Sequence, residues 1–214
     1  MENIFSIYID KTERQKAALS LIAFGVEVFK PAKFISQMDL LKDINAKLKI
    51  KLTQPNDRII AEFIFEYLID CIRCLIFFEN YMKAELIIKD YCVHFIDKDN
   101  LPFKSLAKEQ HSRPIKLEEI LAIENFTINE TDKIINHNAV KNKTIGIKEL
   151  LCPEYKLHYD FDVAITSIIQ KLNRYRNTLH FNYSIEFMLS DEFISDLEVM
   201  NNFVDKTIKR IITF

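Results

Sequence analysis

Apolar positions along this chain recur mainly with the spacing of helices. Asp10 followed by Glu13 has the form of a capping box, in which side chains satisfy the backbone donors that a helix start leaves open. The helix it opens is expected to run to about Phe29, where Pro31 ends it. A second, less regular helix is expected from Ser36 to Lys49, where Met38, Leu40, Leu41, Ile44 and Leu48 keep a partial helical period. The polar stretch reaching Gln54-Pro55-Asn56-Asp57 marks a candidate boundary. From Arg58 to Asp97 the chain is dense in Ile, Leu, Phe and Tyr, while Glu62, Glu66, Asp70 and Arg73 return every three or four residues and share one helical face. This is the predicted central helix. A helix of that length would span about 60 Å, so a break or sharp bend is expected near Phe77 to Asn80.

Beyond it, Pro102 and Pro114 mark a loop over 98–115, with a helical turn at Ser105 to Gln110. Lys116 to Asn125 and Glu130 to Asn138 suit short helices. Ala139 to Asp160, with Gly146 and Pro153, reads as an irregular connection with one helical turn at Ile147 to Leu151, and is the segment expected to be mobile. Asp162 to Phe187 restores the helical period through Ile165, Ile168, Leu172, Tyr175 and Leu179, and a last helix, Asp191 to Ile212, follows Ser190 as N-cap. The expectation is an all-α fold: a bundle of about four or five core helices over residues 56–214, preceded by an N-terminal helical extension over 1–55.

Composition narrows the class. Two glycines and five dispersed prolines in 214 residues are too few turn residues for a sandwich or barrel. A formal net charge of −2 neither drives the chain onto nucleic acid nor forbids it, since binding needs only a local basic patch. Cys71, Cys74, Cys92 and Cys152 stand in a chain with apolar residues enough for a core, so reduced thiols in a cytoplasm are expected rather than a disulfide framework. The first ten residues lack an export pattern. The apolar run Ile59 to Phe78 is interrupted by Glu62, Glu66, Asp70 and Arg73, which are costly in a bilayer, so no membrane association is expected.

The segment with most chemistry is Asn173-Arg174-Tyr175-Arg176-Asn177-Thr178-Leu179-His180-Phe181. Arg176, Asn177 and His180 share one edge of a helix beside the Leu172/Tyr175/Leu179 stripe, with Arg174 roughly 120° from His180. An imidazole moves protons near neutral pH and a guanidinium holds phosphate, which together suit cleavage of RNA through its own 2′-hydroxyl without a metal.

This segment resembles the HEPN superfamily, helical domains whose ribonuclease members carry an Arg, four to six residues, then His, often with a polar residue directly after the Arg. Arg174 and His180 match the spacing, while Arg176-Asn177 match the Arg-polar pair, so both arginines are carried. Phe78-Glu79-Asn80-Tyr81-Met82-Lys83-Ala84-Glu85-Leu86 followed by Val93-His94-Phe95-Ile96 is similar to the Lys-Ala helix and following His of many members. The resemblance covers about residues 58–214. It implies a four- or five-helix bundle that forms a homodimer and acts on RNA as a metal-independent endoribonuclease without cofactor, in a toxin–antitoxin, CRISPR or antiphage system. Arg174, Arg176, Asn177 and His180 would be its catalytic residues. The alternative is a non-catalytic helical interaction module whose partner is a nucleotidyltransferase, an antitoxin or another effector.

Other clusters have plainer readings. Cys71-Ile-Arg-Cys74 with Cys92 and His94 has the residue types of a zinc site, but the first pair lies in an apolar run, where cysteine packs as a small hydrophobe. Glu62, Glu66 and Asp70 lack the Glu-x-x-His partner of di-iron bundles and read as a solvated face. His111, His137 and His158 fall in or near loops without a matching nucleophile. No glycine-rich phosphate loop exists, which sets aside kinase, P-loop and Rossmann chemistry. Lys141-Asn142-Lys143 and Lys209-Arg210 are candidate contacts to a phosphate backbone.

Overall fold

The computed structural model describes residues 10–30, 57–123, 128–129, 134–135, 140–179 and 191–212. The expected helix over 36–49 and His180 lie outside them, as do the side chains of Glu62, Glu66 and Tyr175. The described chain is mostly helical. Helix α1 is Lys11–Phe29 and opens as the sequence indicates, with the Glu13 amide donating to Asp10 Oδ1 at 3.0 Å. Helix α2, Asp57–Ile88, is one unbroken helix of 32 residues, so the interruption expected near Phe77 does not occur.

Helix α2 stops at Lys89-Asp90 and does not continue to Asp97 as predicted. The amides of Lys89 and Asp90 bond three residues back, to Leu86 and Ile87, which tightens the last turn. Asp90 then takes φ 64°, a left-handed conformation that ends helices and that Asp tolerates better than most residues. Arg14 of α1 holds it there, donating from Nε at 3.1 Å and from a terminal nitrogen at 2.7 Å to Asp90 Oδ1. Strands β1 (Tyr91–Cys92) and β2 (His94–Ile96) follow directly.

The chain forms two compact units. One takes its residues from within Met1–Ile22 and Glu79–Asp160, the other from within Ala23–Phe78 and Phe161–Phe214. The first contains, after β2, a 3-10 turn at Leu101–Phe103, α3 (Lys104–Glu109), β3 (Ile115–Lys116), α4 (Leu117–Leu121), β4 (Ile128–Asn129), β5 (Ile134–Ile135), β6 (Val140–Thr144), α5 (Ile147–Leu150) and α6 (Pro153–Lys156). The strands pair antiparallel as β1 with β3, β2 with β6 and β4 with β5. These short pairs sit within a mostly helical chain, which keeps the expected all-α class, but β5 stands where a helix over Glu130 to Asn138 was predicted.

A core of Cys92, Ile96, Phe103, Ala107, Ile115, Leu117, Ile120 and Val140 gathers this unit. Gln110, fully buried, stitches it: its amide donates to the His94 carbonyl at 2.7 Å and its Oε1 accepts from the Ile96 amide at 2.9 Å. The Tyr155 hydroxyl donates to the Gln110 carbonyl at 2.7 Å. Of the stretch 139–160, expected to be an irregular mobile connection, the described residues 140–160 are built into the core through Val140, Ile145, Leu150 and Tyr155, all buried.

In the second unit, α7 (Val163–Leu179) and α8 (Asp191–Ile212) join residues of α1 and α2. Phe29, Phe77, Phe78, Phe161 and Phe203 form a continuous aromatic cluster with neighbouring ring centroids 5.3 to 6.4 Å apart, the range of favourable edge and tilted contacts. Cys71 and Cys74 are buried in this unit and Cys92 in the other. Desolvation pushes the Cys74 thiol well up and the Cys92 thiol up to about 12, so they remain protonated core side chains. Asp70, only 2% exposed, is not part of a solvated face: it is buried and receives Arg73 at 2.7 Å. Among the described residues no helix is long and apolar enough to cross a membrane.

Candidate functional site

Helix α7 buries one stripe and exposes another. Ile165, Ile168, Ile169 and Leu172 are buried, while Ser167, Gln170, Arg174 and Asn177 follow one another at three- and four-residue steps on the solvent side. Its start is held by Asp162, whose Oδ1 accepts the Ile165 amide at 2.8 Å. Lys171 reaches across to Asp196 of α8 at 2.7 Å, a partly buried pair that fixes the rotation of α7 against α8.

Of the sequence-derived residues, Arg174 and Asn177 are exposed and Arg176 is half-buried at the edge of their stripe. Arg176 donates to Asn177 Oδ1 at 3.4 Å, a long and exposed hydrogen bond. Arg174 and Asn177, three residues apart, lie on the same stripe. Arg176 also stands in the last turn, where a cation is favoured by the carbonyl end of the helix. This arrangement presents guanidinium and amide donors to solvent from one end of a helix, which is what a phosphate or carboxylate requires. Neighbouring Asn173 keeps its side-chain oxygen buried without a hydrogen-bond partner.

The other candidates have settled roles. His94 is buried in β2, its Nδ1 3.2 Å from the Lys141 carbonyl. Lys83 is buried too, donating to Glu79 at 2.6 Å and to the Thr144 hydroxyl at 3.0 Å, so it ties α2 to β6. Lys141 is held between Asp97 and Asp99, each 3.2 Å away, and hydrogen bonds to those carboxylates raise its pKa. His158 packs against the Tyr91 ring with centroids 4.5 Å apart; burial, and then the nearby Lys89 charge, lower its pKa.

Sequence reasoning missed a second surface group. Phe95 points outward between buried His94 and Ile96. The His111 ring lies 5.7 Å from it at 41°, and Lys143 Nζ lies 5.7 Å above its centroid. The strand alternation that could have shown Phe95 was hidden because 91–96 was read as helix.

No family model, curated protein or solved structure matches this chain.

Proposed function

We propose that the chain is a HEPN-like, metal-independent endoribonuclease. The reading rests on the α7 donors: Arg174 and Asn177 exposed on one stripe, with Arg176 bonded to Asn177 at its edge. In the proposed reaction the RNA 2′-hydroxyl attacks the adjacent phosphorus and the 5′-oxygen leaves. His180 transfers a proton in this exchange, Arg174 or Arg176 steadies the charge growing on the phosphate, and Asn177 orients an arginine, as its bond to Arg176 would allow. A second copy of the chain, bringing its own α7, would supply the other proton-transfer group.

The test is cleavage of a labelled single-stranded RNA by the purified protein in excess EDTA. Wild type is expected to cut; His180→Ala should abolish cutting with the helical circular dichroism signal intact, and Arg174→Ala or Arg176→Ala should lower the rate by about 100- to 1000-fold. Full activity in His180→Ala, or no cutting by wild type, would dispose of the assignment.

A further inference from the structure

We infer that Phe95, His111 and Lys143 form a stacking platform for single-stranded RNA on the first compact unit, within its Glu79–Asp160 part. The inference rests on the ribonuclease reading only for its choice of RNA. The platform starts from a defect in strand pairing. His94 faces Thr144 and Ile96 faces Val140, so the register slips between them and three residues of β6 oppose Phe95 alone. Such bulges re-aim side chains, and here Lys143 comes over the outward Phe95 ring.

The imidazole beside that ring is held in place. His111 Nδ1 lies 3.3 Å from Glu149 Oε1, while Glu149 Oε2 accepts the Gly146 amide at 3.2 Å at the start of α5. Glu149 is thereby turned inward, 11% exposed, whereas the His111 side chain is 63% exposed. His111 stays exposed although Phe95 and Glu149 fix it, so its ring is held at the surface. The group puts two neighbouring rings and one positive charge together on one surface, the two kinds of contact that a base and a phosphate use.

Charge supports a polyanion as occupant. Lys141, the neighbouring cation on β6, is neutralised by Asp97 and Asp99, but Lys143 is exposed and takes part in no ion pair among the described residues. A duplex could not use the rings, because its bases are stacked on each other.

The experiment measures fluorescence anisotropy of a labelled 2′-O-methyl uridine 12-mer, which cannot be cut through its 2′-oxygen, with the intact protein. Wild type is expected to bind. Phe95→Leu, which keeps an apolar side chain but no planar ring, should weaken binding roughly 5- to 100-fold without moving the thermal midpoint, and Phe95→Tyr should retain it. Lys143→Ala should weaken binding and reduce the log–log salt slope by about 0.7. Equal binding by Phe95→Leu and wild type overturns the platform. So does binding of AMP or of a blunt RNA duplex as tightly as the strand, or failure of wild type to bind the strand. Failure of the catalytic reading looks different: His180→Ala cuts, or nothing cuts, while the Phe95 dependence of binding persists.

Discussion

Two single residues decide where the chain turns and how the first unit holds together. Asp90 occupies a left-handed backbone conformation and carries the Arg14 fork. Ala there would lose the ion pair and also meet the left-handed penalty of about 1 kcal/mol, whereas Gly would lose only the pair. Asp90→Ala is therefore expected to be less stable than Asp90→Gly by about 1 kcal/mol in urea unfolding; equal stabilities would mean that the backbone angle costs nothing. Gln110 bridges the His94 carbonyl and the Ile96 amide from a fully buried position. Gln110→Leu takes one donor from the His94 carbonyl, which keeps the Cys92 thiol, and takes from the buried Ile96 amide its acceptor, at about 1–3 kcal/mol for the amide. The expected loss is several times that of a surface substitution such as Lys104→Ala, and a comparable loss for both would show that the bridge contributes little.

Among elements, α3 and α4 meet through one guanidinium. Arg113 donates to Glu109 Oε2 at 3.0 and 2.5 Å, and to the two oxygens of Glu119 at 3.1 and 2.8 Å. Its hydrogen bonds are the first cause holding both carboxyls below the usual range, helped at Glu109 by Ser105 and at Glu119 by the Lys116 amide. A carboxyl whose folded pKa is depressed stabilises fully above its unfolded value, about 4.3, and loses that contribution as pH falls through the folded value. Unfolding midpoints are thus expected to hold steady above about pH 5 and to fall below about pH 4. Arg113→Met should be less stable at neutral pH and flatter through the acid range, and identical pH profiles would remove the clamp from the account. The element scale also shows what sequence could carry. α1 was legible because Asp10 and Pro31 punctuate it, and α7 and α8 because long amphipathic periods survive local noise. The strands are two to five residues long, too short for a period, and the end of α2 is signalled by Asp90 rather than by a glycine or proline. Arg174, Arg176 and Asn177 were legible as a local spacing on one helix; Phe95, His111 and Lys143 come from three separate segments that only the folded chain brings together.

For the whole molecule, the two helices that thread both compact units matter most. Helix α2 gives Cys71, Cys74, Leu75, Phe77 and Phe78 to one core, and Tyr81, Met82, Ala84 and Leu86 to the other. Helix α1 divides likewise, with Ala18 and Ile22 on one side of the division and Val26 and Phe29 on the other. A helix segment shorter than about 12–15 residues is marginal in water. Unfolding the first unit would leave the second only residues 23–29 of α1, and unfolding the second would leave the first only residues 79–88 of α2, each too short to stay helical without its neighbours. The units are expected to unfold together even though each has its own core. Ile169→Ala in the second unit and Leu150→Ala in the first both open a cavity at a fully buried position, at about 2–5 kcal/mol each. Each substitution should lower one shared transition, seen at the same denaturant concentration by far-ultraviolet circular dichroism and by amide exchange in β2, α5 and α8 alike. If Leu150→Ala instead released exchange in β2 and α5 while α8 kept wild-type protection, α1 and α2 would not couple the units, and the Arg174/Arg176/Asn177 group of α7 could be studied apart from the Phe95 group.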